Sequence, residues 1–197
     1  GLLYLGSGCG LFLCSIVSSK FHQSEQEAKL RRSDLPWLAS AVLFGGIAGP
    51  VLLMVGLAHT QASTASLLLN AEAVFTALLA WFAFKENFDR RICLGMISIV
   101  IGCVFLAWQP GLILSLSFGS IAIIGACFCW ALDNNLTRNI SDTDPMQIAA
   151  IKGLIAGFVN VGIALATGSI VPSFITILES TVIGFFGYGV SLVLFIK

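Results

Sequence analysis

Long apolar runs separated by short polar joins dominate the chain. A helix needs roughly 20 apolar residues to cross a bilayer core. Seven such runs fall at approximately 1–18, 36–58, 61–84, 91–108, 117–138, 145–166 and 178–197. Their limits have local physical causes. Pro36 opens the second run after Ser33-Asp34, and Asp144-Pro145 opens the sixth with an N-cap and a proline in the first turn. Gln109-Pro110-Gly111 stops the fourth run and Thr167-Gly168-Ser169 the sixth. The join at His59-Thr60-Gln61 is so short that the second and third runs form an antiparallel hairpin. The pattern predicts an all-α membrane protein, a polytopic helical bundle.

Composition agrees. Hydrophobic residues make up 57% of the chain and charged residues 10%, against about 25% charged in a soluble domain. Too little charge remains to cover a water-facing surface. Net charge is zero, with no basic face for nucleic acid. The six cysteines (Cys9, Cys14, Cys93, Cys103, Cys127 and Cys129) lie in apolar stretches without C-x-x-C spacing, which reads as packing residues, not a disulfide or metal framework. The opening Gly1-Leu2-Leu3-Tyr4 has no basic n-region and is not a signal peptide. Both ends read as cut beside a span, so a fragment is expected.

Lysine and arginine fix the predicted orientation. Successive joins carry four basic residues (Lys20, Lys29, Arg31, Arg32), none, three (Lys85, Arg90, Arg91), none, then Arg138, none and a final Lys197. Lys152 lies inside a span, nearer the same side. Seven passes place every basic join on one face, predicted to be cytoplasmic, and Gly1 on the other.

Two segments suggest an internal repeat. Phe44-Gly45-Gly46-Ile47-Ala48-Gly49-Pro50-Val51-Leu52 aligns without gaps on Phe186-Gly187-Tyr188-Gly189-Val190-Ser191-Leu192-Val193-Leu194, and Gly10-Leu11-Phe12-Leu13 is similar to Gly162-Ile163-Ala164-Leu165. These matches pair runs five spans apart, and an odd repeat length inverts topology, as in many secondary transporters.

The stretch from Ala65 through Asn70, Glu72 and Trp81 to Lys85-Glu86 resembles the fourth helix of EamA-domain proteins in the drug/metabolite transporter superfamily. Leu94-Gly95 through Ile101-Gly102 is similar to that family's fifth helix. Trp130-Ala131, Arg138, Asp144-Pro145 and Lys152-Gly153 resemble its sixth and seventh. The resemblance implies a ten-helix, five-plus-five inverted-repeat transporter of small metabolites. This chain would supply helices two to eight: residues 1–108 as the end of the first repeat and 117–197 as the start of the second. Two departures stand out: Lys85 where many members have Gly, and Ala73 where many have Pro.

Ionisable residues inside a membrane cost about 2.5–3.5 kcal/mol each on insertion scales and are functional candidates by default. Glu72 lies mid-span, roughly 16–18 Å from either helix end, and is expected to face the interior near Asn70 or Ser66, contacting substrate or a coupling proton. The competing reading is a protonated Glu held by an interhelical hydrogen bond. Lys152 either snorkels to the cytoplasmic interface or pairs with Asp133 across two antiparallel helices, gating the cavity or meeting a zwitterionic substrate. Asn134, Asn135 and Asn160 are polar candidates beside them, with helix glue as the leading reading of each. Trp130 is a cavity-lining candidate, while Trp37, Trp81 and Trp108 read as interfacial anchors. Pro50 with Gly49 is a candidate hinge, and the glycine pairs Gly6/Gly10, Gly45/Gly49 and Gly153/Gly157 read as close-packing sites.

No catalytic constellation emerges: His22 and His59 are predicted on opposite faces, so the chain is not expected to be an enzyme, and no cofactor or metal is implied. The function that fits is a secondary transporter in the cytoplasmic membrane moving a small metabolite or drug-like solute by alternating access. A non-transporting seven-span receptor or scaffold is the alternative. Partners are the bilayer and a small-molecule solute, with proton coupling and a homodimer among the arrangements the sequence allows. If Asp133 and Lys152 pair, reversing one charge abolishes transport and reversing both restores it; flux measurements that show no rescue exclude the pair.

Overall fold

The computed structural model describes residues 1–21, 30–85, 89–107 and 117–196. Trp108, the Gln109-Pro110-Gly111 stop, Glu86 and His22 lie outside the described residues.

The described chain is a succession of helices: α1 Leu2–Phe21, α2 Leu35–Ala41, α3 Gly49–Ala58, α4 Ala62–Leu69, α5 Ala71–Phe82, α6 Arg90–Ala107, α7 Phe118–Arg138, α8 Pro145–Ala166, α9 Phe174–Ile183 and α10 Ser191–Ile196. Wide π-helical turns, Val42–Ala48 and Gly184–Val190, join α2 to α3 and α9 to α10 into longer rods. Among the described residues, four segments are long and apolar enough to cross a membrane: Arg32–Ala58, Ala62–Phe82, Pro145–Ala166 and Phe174–Leu194. The chain is therefore a polytopic helical membrane protein.

The third run stays one rod, Ala62–Phe82, with a single tightened turn at Asn70 between α4 and α5, where the backbone keeps helical torsions of φ −65° and ψ −17°. One boundary differs from the sequence pattern. The last rod starts at Phe174, not near residue 178, because the Ser173 hydroxyl caps it by accepting from the Thr176 N–H at 3.3 Å. Asp144 caps α8 as the sequence suggests, accepting from Met146 N–H at 2.8 Å beside Pro145.

Contacts divide the chain into two units, Gly1–Ile47 with Leu136–Lys197, and Ala48–Asn135. In the first, α1 packs along α8, α9 and the second wide turn. Lipid tails are as apolar as leucine, so such packing relies on small residues that let backbones approach. A Cβ at Gly153 would sit 2.7 Å from the Gly8 backbone nitrogen, and one at Gly157 would sit 2.7 Å from that of Leu5. Side chains there would push α1 off α8. Leu38, Val42, Ile140 and Ile148 form one apolar cluster of this unit. Leu11, Ala149 and Ala150, with Phe185 and Leu192, form another.

In the second unit Ala65, Ile123 and Cys127 are enclosed by Leu53, Leu68, Leu69 and Phe75. Phe75 also meets Phe128 edge-on at 5.8 Å. α6 packs on α4 and α5, and Gly119 on α7 lies against the backbone of Gly56 and His59 at the end of α3.

After α5 the chain turns at Lys85, which has φ +54°. This is the left-handed region, comfortable for glycine but costing another residue about 1–2 kcal/mol. The departure of Lys85 from the family pattern thus sits at a conformation that calls for glycine. Lys85→Gly is expected to stabilise the protein by about 1 kcal/mol, seen as a higher unfolding midpoint in detergent; an unchanged or lower midpoint would refute the strain.

Candidate functional site

The turn at Asn70 leads to the polar groups of the second unit. Asn70 closes α4 with a tightened turn, its N–H reaching Leu67 O at 3.2 Å. Its exposed side chain folds back on its own helix, Nδ2 donating to Ser66 O at 3.1 Å and Leu67 O at 3.2 Å. The thiol of Cys127, from the facing α7, donates to Leu68 O at 3.4 Å and lies 3.8 Å from Leu69 O.

Glu72 follows in the next turn, the first of α5. Asn134 on α7 donates from Nδ2 to Glu72 Oε1 at 3.0 Å and lies 3.4 Å from Thr76 Oγ1. Asn135 is buried and donates to Thr76 O at 3.1 Å and to Ala131 O at 2.9 Å. Two consecutive asparagines on α7 thus grip the first turns of α5, and the half-buried Glu72 carboxyl lies at the centre of that grip. Among the described residues no basic side chain pairs with Glu72.

Of the sequence-predicted residues, Glu72, Asn70, Trp130 and Asp133 belong to this unit and Lys152 to the other. Trp130 and Asp133 are half-buried on α7, Asp133 one residue before Asn134. Lys152 is only 5% exposed, and its ammonium donates to Thr137 Oγ1 at 3.1 Å.

Gly49 and Pro50 of the candidate hinge belong to the second unit, and the wide turn just before them, at Gly45 and Gly46 in the first unit, has its own polar grip. Pro50 has no N–H, so the Gly46 carbonyl four residues back, or the Gly45 carbonyl five residues back, loses its backbone donor. Side chains replace it. Asn160 Nδ2 donates to Gly46 O at 2.6 Å, and Tyr4 Oη donates to Gly45 O at 3.3 Å.

Sequence reasoning passes over two groups, Thr76 and Glu179. Thr76 lies four residues after Glu72 and so shares its helix face, a spacing available as a signal. Asn134 is a polar candidate in the sequence but reads first as helix glue, because nothing in a sequence says which face of α7 meets α5. Glu179, an exposed acidic residue within the apolar α9, is also an intramembrane candidate.

Residues 2–108 match the EamA-like transporter family. The chain is 30% identical over 158 residues to an uncharacterized transporter of Methanothermobacter thermautotrophicus, covering 78% of this chain and 46% of the relative. It is 26% identical over 153 residues to the uncharacterized transporter YyaM of Bacillus subtilis, covering 75% of this chain and 50% of the relative. A third relative, 33% identical over 109 residues, is the probable 4-amino-4-deoxy-L-arabinose-phosphoundecaprenol flippase subunit ArnE of Pseudomonas fluorescens; the match covers 53% of this chain and 94% of that subunit. The chain spans about half the length of the first two curated relatives it matches.

Proposed function

The chain belongs to the EamA-like transporter family, and from that premise we propose that it is part of a secondary transporter of the cytoplasmic membrane. It moves a small solute by alternating access, with Glu72 as the group that exchanges a proton or a cationic substrate. The observation that carries this reading is the Glu72 carboxyl held by Asn134 at 3.0 Å within an apolar span. An ionisable group inside a span, held by a neighbouring helix, is a functional candidate by default. A carboxylate there is neutralised by taking a proton or by binding a cation, and switching between the two couples a gradient to solute movement.

The name of the Pseudomonas relative concerns an amino sugar, and an amine is what such a carboxylate recognises. Solutes bearing an amine are therefore the first class to test. In this reading residues 1–108 end the first repeat and residues 117–197 begin the second. Trp130 and Asp133 lie on the helix that carries Asn134, and they extend the binding surface along it.

The test is solute flux through the full-length protein in proteoliposomes, with and without a pH gradient. Glu72→Gln keeps the shape and the hydrogen-bonding capacity but removes the titration, so gradient-driven flux is expected to fall at least tenfold while the protein still inserts and folds. Equal flux in mutant and wild type would reduce Glu72 to a packing group. Absence of flux from wild type across a broad panel would favour the receptor or scaffold reading.

A further inference from the structure

We infer that Tyr4 couples the two wide turns of the first unit, so that Val42–Ala48 and Gly184–Val190 change register together. The inference rests on the alternating-access reading for its use but not for its test.

The two turns occupy equivalent places. The gapless match that pairs Phe44 with Phe186 also pairs Val42 with Gly184 and Ala48 with Val190, the first and last residues of the two turns. The sequence repeat is thus a repeat of backbone irregularity as well. A π-helical turn holds one residue more than an α-turn and marks a point where a helix can exchange one bonding register for another.

Each turn has a carbonyl held by a side chain at the equivalent position. Gly45 O accepts from Tyr4 Oη at 3.3 Å, and Gly187 O, its counterpart, accepts from the Ser191 hydroxyl. Such back-bonding by serine bends a helix. In the first turn Asn160 holds the next carbonyl, Gly46 O. Asn160 is itself buried, and a Cβ on Gly46 would sit 2.6 Å from Ala156 Cβ on the same helix, α8.

Tyr4 reaches both turns. Its hydroxyl bonds the first, and its ring lies 5.1 Å from that of Tyr188 in the second, tilted by 52°. The rest of the second turn also rests on α1: a Cβ at Gly189 would meet Ser7 Oγ at 3.2 Å and Leu11 Cγ at 3.3 Å. Register change in the first turn carries the Gly45 carbonyl away from Tyr4, freeing a phenol whose ring is packed against the second turn. Change in the second turn moves Tyr188 and, with it, the ring that positions the hydroxyl. One side chain therefore touches both turns, and a shared bias on their equilibria, beyond proximity alone, is what coupling requires and the experiment reads.

Hydrogen–deuterium exchange on the full-length protein in detergent micelles tests this, comparing wild type with Tyr4→Phe, which loses only the hydroxyl, and Tyr188→Leu, which loses the ring partner. Coupling predicts that each variant speeds exchange in peptides from both turns, by about threefold to tenfold as expected for one lost hydrogen bond. Acceleration confined to the first turn in Tyr4→Phe and to the second in Tyr188→Leu would overturn it. Should Tyr188→Leu fail to fold, Tyr4→Phe decides alone: faster exchange at Gly184–Val190 supports coupling, and unchanged exchange there refutes it. A protein that moves no solute yet shows both turns responding would refute the transport reading and leave this one standing.

Discussion

A backbone carbonyl released inside a membrane finds no water, so its donor must come from the protein. That constraint organises the places where this chain departs from regular helix. Ahead of Pro50 the donors are Tyr4 and Asn160. In the last rod it is Ser191, reaching back one turn. Irregular backbone persists at these points because a side chain, in two of these three cases from another helix, holds the carbonyl.

The same constraint places the polar chemistry. Glu72 and the tightened turn at Asn70 lie where α7 runs alongside with Cys127, Asn134 and Asn135 on the facing side. Close packing in turn depends on small residues: Gly8, Gly153 and Gly157 bring α1 onto α8, so that Tyr4 and Asn160, one on each helix, can both reach the first wide turn. Glycine and asparagine thus work in sequence, the first permitting approach and the second using it.

How much of this was legible in the sequence follows from what hydropathy reports. It reports which side chains tolerate lipid, and so the apolar runs, the Asp144-Pro145 start and the mid-membrane Glu72 could be read directly. It is silent on backbone register, so the tightened turn at Asn70 and the two wide turns were invisible, although Pro50 and the Gly-rich repeat marked the neighbourhood of the wide turns. Nor does it say which helix faces meet, so Asn134 and Asn160 looked alike as glue while one bonds a carboxylate and the other a carbonyl. The start of the last rod was misjudged because the capping serine, Ser173, sits in a short polar stretch that hydropathy treats as a join. Lys85 was noticed as a departure from the family, but only its positive φ gives the departure a physical meaning.

The claim that side chains stand in for missing backbone donors is tested most directly by a double-mutant cycle of Pro50→Ala and Asn160→Leu, following unfolding of the full-length protein in micelles. Asn160→Leu alone leaves the Gly46 carbonyl without a donor and should cost about 1–3 kcal/mol. Pro50→Ala restores an N–H that can serve that carbonyl, so in its presence most of the cost attributable to the lost hydrogen bond should disappear. A cost that is the same in both backgrounds, within the roughly 0.5 kcal/mol expected of independent sites, would contradict the account.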